Sequence, residues 1–66
     1  MLIRDFTKPE IDNLLNLCNF TPEEEEYFLL RAKNKTNIQI AFEMNVSDAQ
    51  VGKLAKRVKS KIIRVI

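Results

Sequence analysis

The chain contains no histidine and no tryptophan, and it has one cysteine, one glycine and two prolines. Without imidazole, the usual general base and the commonest metal ligand are both missing, so neither a metal site nor a cofactor is expected. Cys18 has no second thiol with which to close an internal disulfide. Next to Leu14, Leu15 and Leu17 it reads as a core residue rather than a nucleophile. No long apolar run free of charge is present, which argues against a membrane span. The opening MLIRDF carries an aspartate and lacks a sustained apolar centre, so it does not read as a secretory signal. The cytoplasm is the expected compartment, and an enzyme is not expected.

What remains is a chain of 66 residues, 45% apolar and 30% charged, which suits one small globular domain. Such a domain buries only about 60% of the surface its unfolded chain exposes, so a stability of a few kcal/mol is expected. The net charge of +2 hides an asymmetry. Glu23, Glu24, Glu25 and Glu26 form an acidic block, whereas Lys53, Lys56, Arg57, Lys59, Lys61 and Arg64 crowd the last segment. The glutamates follow Thr21 and Pro22 at a helix start, where negative charge suits the helix dipole. They read as exposed, structural groups rather than as an acid/base pair. The basic cluster fits either a solvated helix face or an acidic partner.

Spacing and capping signals predict four helices, over residues 8–18, 21–33, 37–44 and 48–64. Thr7 with Glu10, Thr21 with Glu24, Thr36 with Gln39 and Ser47 with Gln50 each match the capping-box pattern. Both prolines, Pro9 and Pro22, fall in a first turn, which needs no internal N–H bond. Asn19, Asn34 and Asn45 are placed to end helices, Asn19 and Asn45 in the left-handed region. Tyr27, Phe28, Leu29, Leu30 and Ala32 make the second helix apolar nearly all round, as expected of a central helix. The organising stretch is residues 36–61. There Ile40, Ala41 and Met44 share one face, and Val51, Leu54, Ala55, Val58 and Ile62 form a second stripe. Helices this short, joined this tightly, must cross at a large angle, which is the shape of a helix-turn-helix. A plain helical hairpin in a small bundle is the alternative. Val46 and Val51 as a staple, and Ala41 where the two helices approach, favour the helix-turn-helix. Residues 1–19 then form a lead-in and first helix, and residues 20–66 the rest of a single domain.

Phe20-Thr21-Pro22 with Glu24 and Glu26, Asn37, Ile40-Ala41, and Val46-Ser47 with Ala49 and Val51 resemble the output domain of LuxR-type regulators. The same residues are similar to region 4 of bacterial sigma factors. The resemblance covers residues 20–62 and implies a bacterial or phage DNA-binding protein whose last helix enters the major groove. Departures lie among the DNA-contacting positions. Gly52 stands where a lysine usually follows the valine, Leu54 where a polar or basic residue is frequent, and Ile38 where lysine is often placed.

On the recognition helix, the base-facing candidates are Asp48, Ala49, Gln50, Gly52 and Lys53. Gln50 suits adenine, Lys53 guanine and Ala49 a thymine methyl. Gln50 has a capping role that competes with base reading. The phosphate candidates are Thr36, Asn37, Ser47, Lys56, Arg57, Ser60 and Lys61. The expected function is a small transcriptional regulator on double-stranded DNA. The alternative is an interaction module of the same fold that docks on RNA polymerase, a sigma factor or another regulator. Ile62, Ile63, Val65 and Ile66, with Leu2 or Ile3, are the expected homodimer contact. The competing expectation is that the N-terminal helix covers them within one chain.

Overall fold

The computed structural model describes Ile3 and residues 6–66. It is all-helical, with α1 (Lys8–Leu17), α2 (Pro22–Ala32), α3 (Asn37–Met44) and α4 (Asp48–Val65). These spans depart from the expected ones only at the ends. Thr21 is a cap rather than a helical residue, Cys18 and Lys33 close their helices, and α4 runs on to Val65.

Each start follows from local chemistry. The hydroxyls of Thr7, Thr21, Thr36 and Ser47 accept the backbone N–H of Glu10, Glu24, Gln39 and Gln50. At the first three, the acidic or amide side chain accepts the N–H of the cap residue in return. At α4 the expected box is only half made, because no reciprocal bond from Ser47 N–H reaches the Gln50 side chain. The stops are equally local. Asn19, Asn34 and Asn45 are all left-handed, with φ of 53°, 66° and 57°. Asparagine tolerates this region better than most residues with a side chain. At the end of α3, Val46 N–H bonds to Ala41 C=O at 3.0 Å and Asn45 N–H to Phe42 C=O at 3.3 Å, which is a Schellman closure. Lys35 and Asn34 repeat it on Leu30 and Arg31 at the end of α2. Each left-handed asparagine stands two residues before the next cap, and the three junctions are four, four and three residues long.

Packing places α4, not α2, at the centre. α1, α2 and α3 all pack against α4, and α2 also packs against α3. The α4 stripe of Val51, Leu54, Ala55, Val58 and Ile62 is buried, together with Tyr27, Phe28, Ile40, Ala41, Leu14, Cys18 and Ile3. α2 is not apolar all round in use, since Leu29 is exposed and Leu30 half-buried. Phe20 stacks obliquely on Phe28, with ring centroids 5.2 Å apart. Ile62 and Ile3 are fully engaged in the core, which removes them from the expected dimer contact; Leu2 lies outside the described residues.

One member of the acidic block is not exposed. Glu24 is buried, while Glu23, Glu25 and Glu26 face solvent. Its carboxylate accepts a short hydrogen bond from the Lys61 ammonium on α4 and another from Thr21 N–H. The same ammonium donates to the Asn19 carbonyl at 3.3 Å. One lysine thus ties the α1–α2 junction and the start of α2 to α4. Burial pushes the Glu24 carboxyl up, but the Lys61 ammonium and the Thr21 bonds outweigh it and hold the group below its usual 4.5.

The sign of the consequence follows from that direction. A carboxyl depressed on folding contributes stability above its unfolded pKa, and that contribution is lost as pH falls through the lower folded value. Wild type should therefore lose stability on acidification below about pH 4.5, and Glu24→Gln should flatten that limb in urea titrations. Removing one partner strands a buried charge, though Lys61 remains partly exposed. Lys61→Met should cost about 1–3 kcal/mol, and adding Glu24→Gln to it should restore at least half. Equal loss in the single and double variants would contradict the pairing.

Candidate nucleic-acid interface

With its apolar stripe committed to three neighbours, α4 turns its opposite face outward. Asp48, Ala49, Gly52, Lys53, Lys56, Arg57 and Ser60 are all exposed there, and Gln50 is half-buried. Because Gln50 returns no bond to its cap, its amide is left to meet a partner. Among the described residues, none of Lys53, Lys56, Arg57, Lys59 or Arg64 is paired with a carboxylate; the ion pairs are Lys61–Glu24 and Lys35–Glu43. Lys56, Arg57, Ser60 and Arg64 line a shallow groove whose far wall is the Glu24–Lys61 pair. Since that pair is neutral in sum, the groove carries the uncompensated charge of Lys56, Arg57 and Arg64.

Lys61 itself does not belong to the free set. Its ammonium is held between Glu24 and the Asn19 carbonyl, so its expected phosphate contact is replaced by an internal one. Sequence spacing carried a signal for this. Glu24 precedes Tyr27 and Phe28 by three and four residues, which puts it on the buried face of α2. Arg64, absent from the expected contacts, is exposed on the groove instead.

The helix starts contribute three further polar groups. Thr36 and Ser47 use an oxygen lone pair in their caps and keep an O–H to donate. Asn37, at the first position of α3, accepts a hydrogen bond on Oδ1 from the Tyr27 hydroxyl at 3.1 Å. That bond fixes the amide and leaves its NH₂ to donate outward. Burial, opposed by nearby Arg31, pushes the Tyr27 hydroxyl above 10.0, so it stays a neutral donor at physiological pH.

The outer face of α3 is different in kind. Ile38 is 76% and Phe42 89% exposed, one turn apart, beside the Lys35–Glu43 ion pair. The sequence carries no signal for the exposure of Phe42, and for Ile38 only its departure from the lysine that the resemblance leads one to expect.

No family model matches the chain, and no curated protein or solved structure matches it either.

Gly52 can be assessed on geometry alone. A Cβ built there would meet nothing within 4 Å, so nothing within the fold requires glycine. Gly52→Ala should raise stability by about 0.5–1 kcal/mol through helix propensity. That corresponds to roughly 2–8 °C in Tm for a domain of this size. If the backbone at this position comes close to a partner, the same variant should bind DNA more weakly. A calorimetric scan with an unchanged or lower Tm would contradict the first part, and unchanged duplex affinity the second.

Proposed function

We propose that the protein is a small DNA-binding transcriptional regulator that lays α4 in the major groove of double-stranded DNA. The observation that carries this reading is the exposed α4 face, where Lys53, Lys56, Arg57 and Arg64 have no carboxylate partner among the described residues. A surface that existed only for solubility would more often interleave acidic partners, as Glu43 on α3 does for Lys35 in the junction before it. In the proposed complex, Ala49, Gln50 and Lys53 stand near base edges, with Gly52 letting the backbone come close and Asp48 at the N-terminal end of the helix. Lys56, Arg57, Ser60 and Arg64 meet one stretch of phosphates. Thr36, Asn37 and Ser47 donate to another, and oriented donors at helix starts suit anions. The resemblance to LuxR-type and sigma region 4 domains, and a cytoplasmic setting, belong to the same proposal. No helix among the described residues is long and apolar enough to cross a membrane.

A second reading keeps the fold and gives the surface to a protein, such as RNA polymerase or a sigma factor. The thin set of base readers, with a glycine in the middle of it, favours that alternative.

Salt dependence separates the two. Neutralising about three to four phosphates releases counterions and gives a slope of log affinity against log salt of about −3 to −3.5. Lys56→Ala and Arg57→Ala should each weaken binding on every duplex and make the slope shallower by about one. Lys53→Ala should instead change which sequences are preferred. Glu24→Gln/Lys61→Met should leave the slope unchanged, because that lysine is engaged internally. No measurable affinity for any duplex at low salt would end the DNA reading in favour of the second.

A further inference from the structure

Two apolar surfaces remain unburied, and their chemistry differs. Ile63 and Ile66 are 68% and 78% exposed, with Leu17 and Val65 less so. On α4, Ile63 and Val65 point to opposite sides of the axis, and Ile66 lies past the helix end. The cations beside them that have no carboxylate partner among the described residues, Lys59 and Arg64, share one sign. A second copy placed there would set like charges against each other, which is unfavourable. The α3 surface has neither defect. Ile38 and Phe42 stand one turn apart on one line, on the side of α3 away from the buried Ile40 and bordering Ala41. Beside them Lys35, just before the Thr36 cap, and Glu43, near the C-terminal end of α3, bridge at 3.6 Å along the edge of a shallow apolar depression.

We propose that a second copy of this chain docks on the α3 face, antiparallel across a twofold axis. A twofold contact must be complementary to itself, so that residue i meets j and j meets i. The α3 face meets that condition. Reversing the helix sets Ile38 against Phe42 of the other copy and Phe42 against Ile38. The same operation sets Lys35 against Glu43 and Glu43 against Lys35. The internal Lys35–Glu43 pair is exposed and worth little by itself, so exchanging it between copies costs little. Covering Phe42, the most exposed large apolar side chain described, supplies the association. The face is about two turns long, at the low end of specific interfaces, so the dimer is expected at roughly 10–100 µM. Lys53, Lys56 and Arg57 take no part in it. The dimer expected from the sequence at the C-terminal apolar residues is thereby assigned to α3 instead.

Sedimentation velocity from 1 to 300 µM at low salt tests this, with circular dichroism to confirm that every variant is folded. Wild type should move from monomer to dimer mass and stop there. Phe42→Asp should remain monomeric, with unchanged helicity, while Ile63→Asp should dimerise as wild type does. Lys35→Glu and Glu43→Lys should each be monomeric alone, because each chain then carries two like charges on that edge. An equimolar mixture of the two should form a heterodimer, since the first supplies two negative and the second two positive charges. A monomeric wild type over the whole range, or dimerisation lost in Ile63→Asp and kept in Phe42→Asp, would overturn the proposal. Failure of the mixture to associate would equally overturn it.

Discussion

Burial of one stripe on α4 governs the rest of the molecule. Val51, Leu54, Val58 and Ile62 are 0–1% exposed, and three other helices close over them. Each such side chain contributes about 1.5–3 kcal/mol of transfer free energy, an upper figure because unfolded chains already bury some of it. In a domain expected to be stable by only a few kcal/mol, losing one of them is comparable with the whole. The same constraint decides the surface. A helix with one face fully occupied presents the other to solvent, and on α4 that other face carries the basic residues. Fold and charge display are therefore one consequence of a single amphipathic segment.

The Glu24–Lys61 pair modifies that display. It draws one lysine of the cluster inward, where it holds α2 and the Asn19 carbonyl against α4. What stays outside is a smaller and better defined set, centred on Lys56, Arg57 and Arg64 along the groove. A buried ion pair is weak evidence for net stability, since desolvation offsets much of the attraction. Its clearer effect here is to separate the structural lysine from the free ones. Tyr27 acts in a comparable way on a neutral group, fixing the Asn37 amide at the start of α3 from a buried position on α2.

The helices were legible in the sequence because their signals are local. A hydroxyl three residues before an acid or amide, and an asparagine at each stop, are chemistry within one turn of chain, and the observed caps and left-handed residues follow them. The α4 stripe was legible for the same reason. Failures came where a residue's partner is distant in sequence or where two local roles compete. The spacing of Glu24 to Tyr27 and Phe28 marks its face, but nothing near it announces that a lysine on the last helix will cover it. The acidic block concealed it among three neighbours that do face solvent. Gln50 had a local partner available and did not take it. α2 looked central because apolar residues surround its axis, yet Leu29 is left outside while α4 collects every neighbour. The exposure of Ile38 and Phe42 was not legible, because exposure of an apolar residue is a property of the assembled surface and has no spacing signature.

Whether the basic face of α4 binds DNA, as proposed, is read residue by residue by amide chemical shifts. Uniformly ¹⁵N-labelled protein would be titrated with a mixed-sequence duplex at low salt. The account predicts shift changes concentrated at Ala49, Gly52, Lys53, Lys56, Arg57 and Ser60, with a second group at Thr36, Asn37 and Ser47. Ile11, Leu15 and the rest of α1 should stay still. A spectrum unmoved by excess duplex, or changes confined to α1 and the acidic start of α2, would contradict it.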